Sequence, residues 1–174
     1  TSPVGTYDII IKQGTVKNYN DSYVAGTLTI TKAPLTIAAG TYTKKQGEAM
    51  PEFTLTYTGF KNNETKDVLT KQPEITTDAT AESRVDKYDI TVSGAEAANY
   101  DFTYEGAKLT VTPRSIVGST LTLDAEKYAY TGKAVEPTVT VQCGFATLME
   151  ATDFTASSTN NTEPGTATLT VVGQ

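Results

Sequence analysis

The sequence predicts an all-β chain of tandem, small, antiparallel β-sandwich-like repeats. Several short segments alternate apolar and polar residues with a period of two, the pattern of strands that bury one face of a sheet. The composition agrees, because 34 of the 174 residues are Thr and ten are Tyr, two residue types that favour strands. A pattern that recurs after 81 residues indicates that the strands belong to repeated units.

The alternating segments predict strands in chain order. Residues 7–11 and 88–92 carry apolar side chains at every second position, and Asp8 and Asp89 lie on the opposite face. Later segments alternate Leu or Val with Thr in the same way. One apolar and one Thr-rich face is typical of antiparallel sheets that pack on one side only. The apolar positions are Tyr7, Ile9, Ile11, Tyr88, Ile90, Val92, Leu109, Val111, Leu169 and Val171.

One segment leaves a second fold class open. Asn63 stands in the position of a helix N-cap, an acidic residue follows it, and Val68 and Leu69 offer an apolar face. This pattern predicts at most two turns of helix, and an irregular loop across the sheet explains it equally well. A short helix in each unit would make the chain α+β, with grasp-like units.

Internal repetition is the clearest organising feature of the chain. Tyr7-Asp8-Ile9 returns 81 residues later as Tyr88-Asp89-Ile90. Because several independent strings recur in this one register, chance similarity is a poor explanation. The other matched pairs are Asn18-Tyr19 with Asn99-Tyr100, Tyr23 with Tyr104, and Leu28-Thr29-Ile30-Thr31 with Leu109-Thr110-Val111-Thr112.

The repeat predicts three parts of the chain. Residues 1–32 are the C-terminal half of a repeat unit, residues 33–112 are a complete unit, and residues 113–174 are a third, shorter or truncated unit. The third part is a weaker copy, in which the spacing from Tyr128 to Pro137 resembles that from Tyr42 to Pro51.

The composition excludes several classes of chemistry. The chain has no His and one Cys, which excludes Ser-His-Asp and Cys-His nucleophile pairs, His-ligated zinc, internal disulfides and thiolate clusters. With a net charge of −6, the chain lacks the excess of Lys and Arg that is typical of nucleic-acid-binding proteins. No segment approaches the ~20 apolar residues of a membrane span.

Carboxylates are the acid–base groups that remain. The nearest pairs in sequence are Asp86/Asp89 and Glu48/Glu52, and nothing marks either pair as the two carboxylates of a glycosidase. We therefore predict no catalytic, cofactor-binding or metal-binding residues, no cofactor, and a protein that is not an enzyme.

The repeated strings resemble a family of bacterial repeats. The strings GTYDI at residues 5–9, YVAGTLTI at 23–30 and KAPLTI at 32–37 are similar to the MBG-type repeat of large bacterial cell-surface proteins and adhesins. The segment from residue 33 to residue 112 resembles this repeat over its whole length. A related module of the same kinds of protein resembles residues 130–162.

Two places depart from the pattern of the family. Lys45-Gln46-Gly47 stands where Tyr-Gly is usual, and Asp86-Lys87 replaces Gly-Thr before Tyr88. The motifs that carry the resemblance are turn glycines, sheet-facing Tyr residues and strand alternation. They are structural, so the resemblance carries over no catalytic or ligand-binding residue.

The resemblance implies an extracellular protein without catalysis. It implies a stalk or adhesive module at the bacterial cell surface, with a host or matrix glycoprotein or a polysaccharide as partner. In a stalk of tandem repeats each unit touches only its neighbours, so repeats can be added without rebuilding a common core. The alternative is an accessory β module of a carbohydrate-active enzyme whose catalytic domain lies elsewhere.

The Tyr residues are the candidates for ligand contact, because a rigid ring with a hydroxyl tip suits sugar and protein surfaces. Six of them recur at the repeat spacing, and we expect these to pack in cores or sheet corners: Tyr7, Tyr19, Tyr23, Tyr88, Tyr100 and Tyr104. Four are less constrained and are the possible ligand contacts: Tyr42, Tyr57, Tyr128 and Tyr130.

The division into units also predicts strand-swapped self-association. An open sheet edge exposes unpaired N–H and C=O groups that recruit another strand. Residues 1–31 would therefore either pack on the chain's own second unit or complete the third unit of a neighbouring molecule. The remaining possibility is that the third unit is a different, shorter module and the N-terminal hairpin only docks.

Overall fold

The computed structural model describes residues 2–12, 14, 18 and 22–174. These residues form short β-strands and one 3-10 turn, Lys66–Val68, and none of them lies in an α-helix. The prediction of an all-β chain is therefore confirmed. The strands are β1 Gly5–Ile9, β2 Gly26–Ile30, β3 Ala33–Ala39, β4 Tyr42–Lys45, β5 Leu55–Thr58, β6 Glu74–Thr76, β7 Asp86–Ser93, β8 Tyr100–Glu105, β9 Ala107–Thr112, β10 Thr120–Leu123, β11 Val139–Cys143, β12 Ala146–Leu148, β13 Phe154–Thr159 and β14 Thr168–Gly173.

The segment with helical character in the sequence forms only the 3-10 turn. Its cap is Thr65, whose hydroxyl accepts a hydrogen bond from the backbone N–H of Asp67 at 3.3 Å. Asn63, the predicted N-cap, has a φ of +59°, a left-handed conformation, whereas a helix N-cap is typically extended. The α+β alternative is therefore not the fold of the described residues.

The chain divides into two compact units made of interleaved segments. The first unit contains Thr1–Gly40, Thr54–Thr76 and Thr91–Gly106, and the second contains Thr41–Phe53, Thr77–Ile90 and Ala107–Gln174. These units follow the density of contacts, whereas the boundaries at residues 32 and 112 follow the repeat in the sequence. Those boundaries stay a prediction.

In the first unit, β1 and β2 pair antiparallel, and β3 lies between an antiparallel β5 and a parallel β8. Strand β6 pairs antiparallel with residues 91–93 of β7. Two clusters of buried side chains form its core. The first contains Leu35, Leu69 and Tyr100, and the second contains Ile37, Val92 and Ala95.

In the second unit, β9 lies between a parallel β4 and an antiparallel β7. The C-terminal segment adds the antiparallel sheet β10-β11-β12 and the antiparallel pair β13-β14. Its buried cluster contains Val139, Val141, Cys143, Ala146, Leu148 and Phe154.

Two of the strand pairs, β3 with β8 and β4 with β9, are parallel, although the sequence predicts antiparallel sheets. A period of two identifies which face of a strand is buried, and it carries no information about the direction of the neighbouring strand. The all-β class is correct, and the sheets are a mixture of antiparallel and parallel pairs.

Burial agrees with the predicted apolar faces in β7 and β9. Ile90, Val92, Leu109 and Val111 are buried, and Leu169 and Val171 of β14 are half-buried. The matching positions of the N-terminal hairpin differ, because Ile9 and Ile11 are exposed. A local pattern therefore marks the face that can be buried, and neighbouring strands decide whether it is.

Candidate functional site

Two turns contact each other within the second unit. One follows β4 and contains Gly47, and the other joins β11 to β12 and contains Gly144 and Phe145. The backbone N–H of Phe145 donates a hydrogen bond to the carbonyl oxygen of Gly47 at 2.9 Å. We call this contact, together with the ion pair of Arg84 and Asp153 described below, the turn junction.

Only glycine fits at the two turn positions. Gly47 and Gly144 have φ values of +75° and +62°, in the left-handed region that L side chains avoid. A Cβ on Gly47 would overlap the carbonyl oxygen of Cys143, and a Cβ on Gly144 would overlap that of Gly47. The two backbones can approach this closely because neither residue has a side chain.

An ion pair reinforces the turn junction. The Arg84 guanidinium donates two hydrogen bonds to the Asp153 carboxylate, Nη1 to Oδ1 at 3.2 Å and Nη2 to Oδ2 at 3.0 Å. The Asp153 side chain is 15% exposed, and its Oδ2 also accepts the backbone N–H of Met149 at 2.8 Å. The Tyr88 hydroxyl donates to the carbonyl oxygen of Arg84 at 3.0 Å. Both partners are therefore held by further hydrogen bonds.

Lys44 is a buried cation beneath the same turn. Its side-chain ammonium donates to the carbonyl oxygens of Glu48, Thr80 and Ala81 at 2.8, 3.0 and 2.9 Å. The residue is 4% exposed. Burial lowers the pKa of Lys44 below its usual 10.5, and the nearby charge of Glu48 opposes that shift. Three carbonyl acceptors satisfy its three N–H donors, so Lys44 joins the β4 turn to the loop before β7.

A cleft of about 670 Å³ lies beside the turn junction. Arg84, Arg114, Cys143 and Asp153 are among the residues that line it. Cys143 belongs to the buried cluster of the C-terminal segment, and its Sγ lies 3.9 Å from the carbonyl oxygen of Ser115. The cleft contains the ion pair, whose carboxylate accepts hydrogen bonds from Arg84 and from the backbone N–H of Met149.

A second cavity, of about 570 Å³, lies between the β10–β11 connection and the β13–β14 connection. Tyr128 and Tyr130 both line it, and they are 40% and 63% exposed. Asn160 and Glu163 from the opposite connection add polar groups. We call this the tyrosine cavity. It combines aromatic rings with amide and carboxylate groups, a composition suited to a polar ligand with an apolar face.

Hydrogen bonds orient one of the two rings. The Tyr128 hydroxyl donates to Oδ1 of Asp124 and accepts the backbone N–H of Ala125 at 3.2 Å. Asp124 Oδ1 also accepts the backbone N–H of Thr138 at 3.0 Å. The Tyr128 hydrogen bond lowers the pKa of Asp124, and the same hydrogen bond raises the pKa of Tyr128. Tyr128 is thus fixed at its hydroxyl, with its ring at the cavity.

The four predicted ligand contacts are not all in one place. The structure brings Tyr128 and Tyr130 to one cavity, which neither Tyr42 nor Tyr57 lines. Tyr42 packs edge-on against Phe53 with ring centroids 5.1 Å apart, and Tyr57 stacks on Phe60 at 5.8 Å. Ligand contact by any of the four stays a prediction.

The six Tyr residues expected to pack have different environments. Tyr100 is buried, Tyr7, Tyr88 and Tyr104 are half-buried, Tyr23 is exposed, and Tyr19 lies outside the described residues. Tyr100 donates to Glu64 Oε2 at 2.6 Å and accepts the backbone N–H of Lys61 at 2.9 Å. Tyr104 donates to the carbonyl oxygen of Ala95 at 3.3 Å.

The sequence did not identify the turn junction as a site. The one visible signal was a turn glycine, Gly47, within the Lys45-Gln46-Gly47 segment that departs from the usual Tyr-Gly. No local sequence pattern identifies Arg84 or Asp153, because the two residues are 69 positions apart and meet only in the folded chain.

Within residues 2–12, 14, 18 and 22–174, no group of three or more Cys, Asp or Glu residues is placed to hold a metal ion. In the same part of the chain, no helix has the length and apolar character that crossing a membrane requires.

Comparison with known proteins identifies the central segment. Residues 35–110 match the profile of the MBG domain (YGX type), which confirms the predicted MBG-type repeat. No curated protein and no solved structure matches the chain. The related surface module expected in residues 130–162 stays a prediction. Over residues 35–110, which are less than half of its length, the chain is thus similar to an MBG domain of the YGX type, and we call this segment the MBG domain.

Proposed function

We propose that the chain is a non-enzymatic segment of an extracellular bacterial surface protein and acts there as a spacer. The turn junction is the observation that supports this function. It connects residues of the MBG domain to the C-terminal segment through a glycine–glycine backbone contact and a two-point ion pair. A spacer needs successive parts that keep a constant orientation, and paired contacts of this kind supply it.

The covalent connection alone would not supply that orientation. Residues 113–119 join β9 to β10, and a single linker of seven residues permits rotation between the parts it joins. The turn junction adds a second and a third point of attachment, at Gly47 and at Arg84. Two further points of attachment restrict hinge motion more than the linker alone does, and this supports the junction as a stiff joint.

Distance distributions test the stiff joint directly. Spin labels at the exposed positions Lys87 and Thr155, in a Cys143→Ala background, would report the separation across the junction by pulsed electron resonance. We expect one narrow distance, which broadens in the Arg84→Ala/Gly144→Ala variant. Gly118→Ala is the matched control, because a Cβ on Gly118 would meet open space. A broad distribution in the parent chain would contradict the spacer function.

The tyrosine cavity favours a second candidate function, adhesion to a polysaccharide or to the glycan of a host or matrix glycoprotein. We expect the parent chain to bind glycans on an array and Tyr130→Ala to lose that binding. Phe145→Ala, which removes an exposed ring outside the cavity, should bind normally. Equal binding by all three proteins, or by none, would contradict a glycan site at this cavity.

The accessory module of a carbohydrate-active enzyme also binds glycans, so the same array does not separate it from an adhesin. The full open reading frame distinguishes the accessory module from an adhesin or a spacer. An adjoining catalytic domain would favour the accessory module, and a wall anchor or further repeats would favour the spacer.

We infer that the chain itself has no hydrolase activity. It lacks His, and the Asp153 carboxylate beside the cleft is occupied by Arg84 and Met149. Incubation of the purified chain with panels of glycans and peptides should give no products. Turnover that a single Asp or Glu substitution abolishes would overturn this inference.

A further inference from the structure

The N-terminal hairpin has the strand register of a pair inside the MBG domain. Tyr7 of β1 lies opposite Leu28 of β2, and Tyr88 of β7 lies opposite Leu109 of β9. Both members of each pair are 81 residues from their counterparts. The β1–β2 hairpin therefore corresponds to the β7–β9 pair, both in sequence and in pairing.

The two pairs differ in burial on the same face. Residues that are buried in β7 and β9 have counterparts in the hairpin that are about half exposed. The solvent-exposed fraction is 1% for Ile90 and 49% for Ile9, and it is 6% for Val92 and 47% for Ile11. For Leu109 and Leu28 the exposed fractions are 0% and 51%. The hairpin thus presents the apolar face of an MBG domain without the strands that cover it.

The opposite face of the hairpin gives no such contrast. Thr27 is exposed and so is its counterpart Lys108, and Ile10 is exposed and so is its counterpart Thr91. Exposure on that face is the normal condition of the MBG domain. The difference is therefore confined to the face that should be buried, and general exposure of the hairpin does not explain it.

The MBG domain shows which strands are missing. Strands β4 and β6 extend the sheet at its edges, β4 parallel to β9 and β6 antiparallel to residues 91–93 of β7. The apolar face is covered from another sheet, because Val92 of β7 packs in one buried cluster with Ile37 of β3. The hairpin counterpart of residues 91–93 is residues 10–12. Strand β1 ends at Ile9, directly before the position where the counterpart of β6 would begin to pair.

We propose that the β1–β2 hairpin is an interaction surface for the front half of a further MBG domain, joined ahead of residue 1 in the same polypeptide. That front half would have the strand pattern of residues 33–81. Its β3-like strand would pack on the apolar face of the hairpin, as Ile37 packs with Val92. Its β4-like strand would pair parallel with β2, and its β6-like strand would pair with residues 10–12. This inference rests on the MBG domain and is independent of the spacer function.

A second copy of this chain is a poorer occupant. Its front-half strands β4 and β6 already pair with β9 and β7, so their release would open two sheet edges in that copy for every two that they close on the hairpin. A hydrogen bond from the backbone N–H of Val4 to Asn99 Oδ1 at 3.4 Å does attach the hairpin to the first unit. That attachment leaves Leu28 and Ile9 half exposed.

Hydrogen exchange on an extended chain tests the proposal. A copy of residues 33–81 placed directly before Thr1 restores the 81-residue spacing of the repeat. We expect the amides of β2 to exchange about tenfold more slowly, or slower still, in the extended chain than in the parent. The amides of β9 in the same sample give the protection of a complete MBG domain.

Two substitutions at neighbouring positions of β2 provide the control. In the extended chain, Leu28→Asp should abolish the added protection, because it places a charge on the covered face. Thr27→Asp should retain it, because the counterpart of Thr27 in the MBG domain is the exposed Lys108. Equal effects of the two substitutions would contradict the proposed face.

Three further results would overturn the proposal. The first is unchanged exchange in β2 of the extended chain while β9 stays protected. The second is loss of protection in the original β4 and β6 while β9 stays protected, which would show that the added half has displaced them from β9 and β7. The third is dimerisation of the parent chain with protection of β2, the strand-swapped association, which would make a second copy the occupant.

Discussion

The Arg84 guanidinium holds the Asp153 carboxylate by two hydrogen bonds, although the residues are 69 positions apart in the chain. Arg84 belongs to the MBG domain and Asp153 to the C-terminal segment, immediately before β13. A planar, two-point contact fixes orientation as well as distance. This geometry gives the pair its part in the proposed spacer and makes it the first target for mutation.

Separate and combined replacement of Arg84 and Asp153 by Ala should reveal an interaction energy of about 1 kcal/mol in a double-mutant cycle. We expect this modest value because the Arg84 side chain is 42% exposed, and solvent screens such pairs. The measurement is the free energy of unfolding from denaturant titration. Arg84→Lys keeps the charge but loses the two-point geometry, and it should recover less than half of the coupling. Strict additivity would show that the pair contributes nothing.

Replacement of Gly47 by Ala should destabilise the chain by about 3 kcal/mol or more, because the new Cβ overlaps the carbonyl oxygen of Cys143. Gly118→Ala is the control. Gly118 also has a positive φ, of +84°, but open space surrounds its Cβ position, so only the conformational cost of about 1 kcal/mol applies. Thermal or denaturant unfolding measures both variants. Equal losses would mean that the close approach of the turns has no energetic consequence.

Aspartate at two positions separated by one repeat should lower the free energy of unfolding by very different amounts. Ile90→Asp buries an unpaired charge and should cost more than about 3 kcal/mol in the free energy of unfolding. Ile9→Asp, at the matching position of the hairpin, should cost less than about 1 kcal/mol because that side chain is half exposed. A denaturant midpoint of Ile90→Asp that equals the parent's would contradict the assignment of its strand.

Lys44→Ala should cost about 3 kcal/mol or more, since it leaves the carbonyl oxygens of Glu48, Thr80 and Ala81 without their shared donor. Lys44→Met keeps most of the side-chain volume and should be nearly as damaging, because the lost hydrogen bonds dominate. Lys45→Ala, at the exposed neighbouring position, should change the free energy of unfolding by less than about 0.5 kcal/mol. A large recovery of stability in Lys44→Met would show that packing matters more than the ammonium.

Tyr100 should make stability fall at alkaline pH. Burial, and then the hydrogen bond to Glu64, raise the pKa of Tyr100 above its usual 10.0. The folded state therefore keeps the proton where the unfolded state loses it. This contribution is complete below about pH 10 and is lost as the pH rises through the folded-state pKa.

Tyr100→Phe tests that pH dependence. The variant should be less stable than the parent at pH 7, and the difference between them should shrink above pH 10. Tyr130→Phe removes a phenol at an exposed position and controls for that loss. Parallel stability curves of the parent and Tyr100→Phe from pH 8 to pH 11 would contradict the prediction.

Sequence reasoning found one part of the candidate sites and missed the other. Tyr128 and Tyr130 could be selected because their positions are less constrained by the repeat than those of the other Tyr residues, and both line the tyrosine cavity. Tyr57 was selected on the same ground, yet it packs against Phe60 in the first unit. Spacing identifies residues that are not needed for a repeated core, but it cannot say which of them a neighbouring strand will cover.

The sequence by itself determined the all-β class and the correspondence between the repeated strands, because both follow from local pattern and spacing. Alternation sets which side chains share a face, and the 81-residue spacing matches Tyr7 with Tyr88 and Leu28 with Leu109. The structure adds the register, with Tyr7 opposite Leu28 and Tyr88 opposite Leu109. Only the tertiary structure decided that Leu109 is buried while Leu28 is half exposed, and that Arg84 reaches Asp153. Burial and ion pairing depend on strands and turns from distant parts of the chain, and the local pattern does not specify which of those neighbours are present.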